Sequence, residues 1–355
     1  MKKRLYYFDL IRVFLTMLVF YHHAAITFGA SGGWYYISKE TTSGLTQLLL
    51  SANMAVDQSY FMSLFFFISA YLMPRSYDSK GAKAFLLDRF NRLGIPLLIY
   101  TFALNSLLIY WIYGGWYETG FGPMWFVFTL LIFELSYACY RYILPKQFIL
   151  RWKRLTAAHI LYFILATGII AFITRFYYPV GRNFIGLQLG FYPLYIGMYL
   201  LGIIAYRNQW LERLQVKKAL PPFLIAMLCG IPSLLIMAGL FSTQTEKFMG
   251  GFNYMALFYA LWEPVMCVGI SYFLLAYGKA HYNRPMPTIQ ELSADSYAAY
   301  IIHPIILVGC TFASEQLPVS SPLMRMVLVC ILGIPICFIF AKGFRQALGM
   351  VHVHI

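Results

Sequence analysis

Apolar stretches of about 20 residues, the length a helix needs to cross a bilayer, recur from one end of this chain to the other. In lipid a backbone must satisfy its own polar groups, and a helix does so within a single segment. Composition agrees: of 355 residues 61% are apolar and only 11% charged, too little charge to cover a water-soluble surface. The length alone would admit two or three soluble domains, yet no polar block interrupts the runs. The expected architecture is an all-α integral membrane protein, a bundle of about ten transmembrane helices forming one domain over 1–355.

Helices are expected near 8–29, 47–73, 92–113, 122–144, 157–176, 188–206, 220–241, 252–277, 295–314 and 322–346. Pro74 is expected to close the second and Pro145 the fourth, and Pro221 and Pro222 to open the seventh. Lys2, Lys3 and Arg4 ahead of the first run also fit a signal peptide. That run is longer than a signal core and carries Arg12, His22 and His23, so an uncleaved first helix is expected.

The net charge of +14 raises the question of nucleic acid, and its distribution answers it. Most of the 27 basic residues fall in alternate connections: Lys2, Lys3 and Arg4; Arg75, Lys80, Lys83, Arg89 and Arg92; Arg141, Lys146, Arg151, Lys153 and Arg154; Arg207, Arg213, Lys217 and Lys218; Lys279 and Arg284; Lys342 and Arg345. The opposite connections carry Lys39, Arg182 and Lys247, with Arg175 and Arg325 near helix ends. They are aromatic instead, with Trp34, Tyr35 and Tyr36, Trp116 and Tyr117, and Tyr177 and Tyr178. Positive-inside topology explains this pattern, places both termini in the cytoplasm, and makes the aromatic residues an interfacial belt. No nucleic-acid partner is expected. The six cysteines lie in or beside apolar runs without a CxxC pair, and His352 and His354 are too few for a metal site. No metal is expected.

Ionisable groups inside spanning segments are costly and tend to face a bundle interior or a water-filled cavity. Arg12 and His23 are eleven residues apart, three helical turns plus about 20°, so they share a face at a separation of about 16 Å. Arg12 then lies near the cytoplasmic boundary and His23 beyond mid-depth, a permanent cation below a titratable base. The same pair also fits a structural role, with Arg12 snorkelling beside Asp9 and His23 in an interhelical hydrogen bond. Arg89 and Arg92, three apart, offer two guanidinium groups at the inner mouth for phosphate, or ordinary flanking charge. Ser296 and His303, seven apart, share a stripe of the ninth helix. Glu134 and Glu263 read as lone carboxylates near mid-depth, and Asp57 as nearer the outside.

These residues resemble the membrane-bound acyltransferase family 3. Its first-helix Arg, ten residues, then His matches Arg12 and His23, and its Arg-x-x-Arg element matches Arg89 and Arg92. FFFISAYL (65–72) is similar to the family's Phe-Phe-x-x-Ser-Gly-x-Leu, with Ala70 in place of the glycine, a change of helix packing more than of chemistry. Trp125–Phe126 and SYAAYIIHP (296–304) also fit, in the same order along nearly the whole chain. RFNRLGIP (89–96) is most similar to the glucan-succinylating branch, and the form resembled is the one without an esterase-like domain after helix ten.

The resemblance implies an O-acyltransferase of the bacterial cytoplasmic (inner) membrane. It would carry an acetyl or succinyl group from cytoplasmic acyl-CoA to a hydroxyl of an extracytoplasmic or lipid-linked glycan of the cell envelope. Arg12, Arg89 and Arg92 are then the candidate CoA-binding residues and His23 the general base. Glu134, His303 and Tyr297 complete the catalytic candidates, with Tyr297, Tyr300 or His303 as donor to the oxyanion. The alternative is a transporter or exporter of a polysaccharide or lipid-linked sugar, which intramembrane charges serve equally well, although no inverted repeat is visible.

Overall fold

The computed structural model describes residues 4–115, 120–144 and 155–350. Among these described residues ten long helices follow one another: α1 (Tyr6–Thr27), α2 (Gly44–Lys80), α3 (Ala82–Tyr113), α4 (Gly122–Ile143), α5 (Ala157–Tyr177), α6 (Leu189–Arg207), α7 (Val216–Leu240), α8 (Tyr254–Tyr282), α9 (Pro287–Glu315) and α10 (Pro322–Met350). Among the described residues there is no β-strand. Lys2, Lys3, Trp116, Tyr117, Pro145, Lys146, Arg151, Lys153, Arg154, His352 and His354 lie outside the described residues.

Nine of these helices, all but α2, are long and apolar enough to cross a membrane. The shortfall from ten has a local cause. α2 runs for 37 residues, but Thr46, Gln47, Ser51, Asn53, Asp57 and Gln58 dilute its first half, and Arg75, Asp78 and Lys80 end it. The largest differences from the expected boundaries are at the starts of α3 and α9. There charged residues such as Lys83 and Asp88, or Glu291 and Asp295, resemble a connection but continue as helix. Proline in the first turn of α9 is pre-organised for that start and gives up an N–H that has no helical partner anyway.

The prolines behave differently from expectation. Pro74 does not close α2; the helix continues to Lys80 and ends at Gly81, whose φ of 76° is in the left-handed region. A proline inside a helix forfeits one hydrogen bond and can kink the helix without ending it; the polar residues after Pro74 stay helical as far as the glycine. Pro221 and Pro222 do not open α7, which begins at Val216. Pro96 and Pro232 instead follow π-helical turns at Phe90–Gly94 and Ala226–Gly230. A proline cannot bond the carbonyl four residues back and its ring crowds that position, so the preceding turn widens. Arg92 lies on the first of these turns.

Contacts divide the chain into two compact units: Met1–Ile11, Ala55–Ser76 and Lys146–Pro285 in one, and Arg12–Met54, Tyr77–Pro145 and Met286–Ile355 in the other. In the first, small residues bring helices close. A Cβ on Gly269 of α8 would stand 2.6 Å from the Pro222 carbonyl oxygen and 2.7 Å from the Ala226 Cβ of α7. Gly269→Leu should therefore force these helices apart and cost about 1–3 kcal/mol. A lowered unfolding midpoint in detergent is the expected result, and an unchanged one would mean that the close approach contributes nothing. Ala70, fully buried, fills the space against Gly202, so the exchanged position of the FFFISAYL segment is a packing position.

The same unit holds a buried ion pair. Glu263 is not a lone carboxylate: it accepts from the Arg175 Nη2, and Arg175 Nε donates to the Gly190 carbonyl at 3.1 Å. The guanidinium lies 5.2 Å from the Tyr259 ring centroid and 5.5 Å from that of Phe191. One arginine thus joins α5, the start of α6, and α8, satisfying groups that lipid would leave unsolvated.

Candidate active site

The second unit contains most of the residues singled out from sequence. Because α1 is unbroken from Tyr6 to Thr27, Arg12 and His23 keep the three-turn spacing and lie about 16 Å apart along its axis. Asp9 pairs with Arg4, Nη2 to Oδ2 at 2.9 Å.

Around His23 the rings are nearly parallel. Its imidazole stacks on Trp34 at 3.7 Å between centroids and 17° between planes, and on His303 at 5.4 Å and 18°. His22 meets it edge-on at 5.9 Å. His303 is fully buried and also stacks on Phe20 at 4.8 Å and Tyr300 at 5.5 Å. α9 presents Tyr300 and His303 together because three residues make slightly less than one turn.

Hydrogen bonding assigns the second histidine's proton. His303 Nδ1 is 2.6 Å from the Tyr300 carbonyl oxygen. A carbonyl only accepts, so Nδ1 carries the hydrogen and Nε2 the lone pair. That Nε2 is buried without a protein hydrogen bond, as is Nδ1 of His23. Tyr300 has committed its hydroxyl to the Pro123 carbonyl at the start of α4. Of the three residues considered as oxyanion donors, Tyr297 alone keeps a buried hydroxyl with no hydrogen-bond partner among the described residues. Ser296, on the His303 stripe, bonds back to the Leu292 carbonyl at 2.8 Å.

Glu134 is elsewhere on α4 and is not lone. Phe126 at the start of that helix touches Tyr300, at 6.3 Å between centroids, and Glu134 is eight residues further on, about 12 Å along the axis. There it faces Arg89, Nε to Oε2 at 3.3 Å. Arg92 pairs with Asp88 at 3.0 Å and Lys80 with the same carboxylate at 2.8 Å. Arg141 bonds Asp78 at 2.8 Å and Tyr137 at 2.9 Å. Four cations and three carboxylates thus interlock where α2, α3 and α4 meet. Within the cluster the Arg92 side chain is 54% exposed, against 19% for Arg89, so Arg92 is the more accessible to an anion.

His23, His303, Tyr297 and Tyr300, singled out separately from sequence, lie in one unit together with Trp34, read from sequence only as an interfacial aromatic. A loop residue has no periodicity to reveal the ring it covers. Asp88, which pairs with Lys80 and Arg92 in the cationic cluster, was passed over for a different reason: a carboxylate among basic residues reads as solvated charge.

No curated protein and no solved structure matches the chain. A family model described as an acyltransferase domain matches residues 5–342, which takes in both units and all of the site. With its apolar helices and that match over nearly its whole length, the chain belongs to acyltransferase family 3 and is a multi-pass membrane acyltransferase.

Proposed function

We propose that the protein transfers an acyl group, acetyl or succinyl, from acyl-CoA to a hydroxyl of a glycan or glycolipid of the cell envelope, in a bacterial cytoplasmic membrane. The observation that carries this reading is the parallel stack of His23, Trp34 and His303, in which buried imidazole nitrogens remain uncommitted. A hydroxyl acceptor needs a base, and a neutral imidazole has a basicity suited to one near neutral pH.

His23 takes the proton of the acceptor hydroxyl as its oxygen attacks the thioester carbonyl. A C–O bond forms, the oxyanion collapses, the C–S bond breaks, and the leaving thiolate takes the proton back from the imidazolium. Tyr297, with its unpartnered hydroxyl, is the donor assigned to the oxyanion. Neutral His303, with its one N–H held by the Tyr300 carbonyl, serves as an acceptor beside the base.

The donor mouth is assigned to the cationic cluster. By the charge rule this end of α3 and α4 faces the cytoplasm, and Arg92 and Arg89 suit phosphate groups. Arg12 continues the basic path toward His23. The pantetheine arm bridges the separation along α4. Glu134, through Arg89, orients this mouth instead of taking part in proton transfer. The similarity of RFNRLGIP (89–96) to the glucan-succinylating branch makes succinyl-CoA a donor to test beside acetyl-CoA.

Neutralising both arginines, Arg89→Gln with Arg92→Gln, should weaken CoA binding to the purified protein about tenfold or more, since hydrogen bonds to charged groups contribute about 1.5–3 kcal/mol each. Calorimetric titration with CoA checks this, and unchanged affinity would return the pair to a topological role. Mass spectrometry of envelope glycans from cells with and without the chain tests the reaction: one acyl group per modified sugar should disappear with it.

A further inference from the structure

Residues 28–43, between α1 and α2, form a strap with many ties. Gly29, at φ 112°, turns the chain off the end of α1, and the Ser38 and Thr42 amides bond the Thr27 and Phe28 carbonyls, each at 2.9 Å. Glu315, the last residue of α9, accepts from the Tyr36 hydroxyl at 3.0 Å, the Ser38 hydroxyl at 2.8 Å and the Lys39 amide at 3.3 Å. Partial burial, then the Glu315 carboxylate, pushes the Tyr36 phenol up to about 12, so it remains a donor there into alkaline conditions. Tyr35 holds Tyr100 through its hydroxyl at 2.9 Å and accepts from Tyr113 at its carbonyl at 2.6 Å. Arg325 of α10 pairs with Glu40 at 3.0 Å. These ties fix the residue among them, Trp34, independently of His23.

General bases are ordinarily oriented by a hydrogen bond to the second ring nitrogen, from a carboxylate or a carbonyl. His303 has one, to the Tyr300 carbonyl. His23 does not: among the described residues no protein group hydrogen-bonds its buried Nδ1. Ring faces constrain it instead, and the closest is the Trp34 indole at 3.7 Å and 17°.

We infer that Trp34 is a positioning residue for acyl transfer, holding the His23 imidazole by its face in the place of the usual hydrogen-bonding orienter. This rests on the assignment of His23 as base. The stack fixes the ring plane while leaving the nitrogens for the acceptor hydroxyl and the leaving thiolate. It also acts differentially. When the imidazole takes the proton, it becomes a cation against an indole, the best π partner for one, so the interaction strengthens as the reaction proceeds and its loss falls on kcat more than on KM.

The test uses the full chain in lipid nanodiscs, with acetyl-CoA or succinyl-CoA, whichever is consumed, as donor. The acceptor is glycan extracted from cells that lack the chain. Trp34→Phe keeps a π face, whereas Trp34→Leu fills much of the volume without one. Trp34→Leu should lower kcat roughly tenfold with donor KM within about twofold, while Trp34→Phe should stay within about threefold of the parent kcat. Equal kcat values for the two variants, or a loss carried by KM, would overturn the assignment. His23→Ala, measured alongside, separates the two readings. If His23→Ala is inactive and Trp34→Leu turns over like the parent, only the role of Trp34 fails. If His23→Ala is active, the base itself is misassigned.

Discussion

His23→Ala should lower acyl transfer by about 10²–10⁴-fold, the usual contribution of a positioned general base, while the protein still inserts and folds. The expectation of intact folding follows from the contacts. The His23 side chain holds no other group by a hydrogen bond; its neighbours are faces of Trp34 and His303 and the edge of His22. The strap above it is secured separately by Glu315, Tyr113 and Arg325. The helix itself gains from alanine, whose propensity is higher than that of histidine. Acylated product quantified by mass spectrometry, beside a thermal unfolding curve, gives both halves of the result. Retained acylation in a normally folded variant would remove His23 from the chemistry.

Glu263→Ala should have the opposite profile, a large loss of stability with no prior connection to the base. The Arg175 side chain is fully buried, and its guanidinium spends one donor on the Gly190 carbonyl and another on Glu263. Removing the carboxylate leaves an uncompensated cation in a medium of low dielectric, at a cost of about 3–5 kcal/mol. Removing both charges together is different. The double variant Arg175→Met, Glu263→Leu should be more stable than Glu263→Ala alone, because the desolvation penalty leaves with the pair. Unfolding in detergent measures the difference. A Glu263→Ala protein that unfolds at the parental midpoint would show the ion pair to be dispensable.

Glu263 and its counterpart Glu134 mark the boundary of what was legible in the amino-acid order. Helix order and nine of the ten expected spans, among the described residues, were legible because lipid imposes a length and a composition on each span, and α1, α4, α5 and α6 begin and end within a few residues of expectation. The stacking of Arg12 and His23 on one stripe followed from helical geometry alone. Partners across helices were not legible. Glu134 and Glu263 look alike in sequence, yet one faces Arg89 and the other Arg175, and no spacing within a segment predicts which helix packs opposite. Proline positions also misled. Pro74 forfeits one hydrogen bond within α2 without ending it, and the stop falls at Gly81, where the backbone turns left-handed. Trp34 was invisible as a site residue because its place depends on the ties of the whole strap, which join residues up to 279 positions apart.

In the proposed reaction the two histidines have distinct roles, and the hydrogen bonds around them support that division. His303 Nδ1 faces the Tyr300 carbonyl, which leaves Nε2 as a buried acceptor and favours Tyr297 over His303 as the proposed oxyanion donor. The Tyr300 hydroxyl is spent on the backbone at Pro123. Among the described residues the proposed base has no hydrogen-bonded orienter, its neighbour His303 keeps a lone pair, and the Tyr297 phenol has no hydrogen-bond partner.

The most direct test of acyl transfer is to reconstitute the protein in sealed vesicles, supply acetyl-CoA or succinyl-CoA on one side and envelope glycan as acceptor, and follow free CoA and glycan mass together. Free CoA should be released in equal amount to acylated glycan, and neither should form with His23→Ala. Glycan crossing the membrane unmodified, with the thioester unconsumed, would contradict it and identify the protein as a carrier.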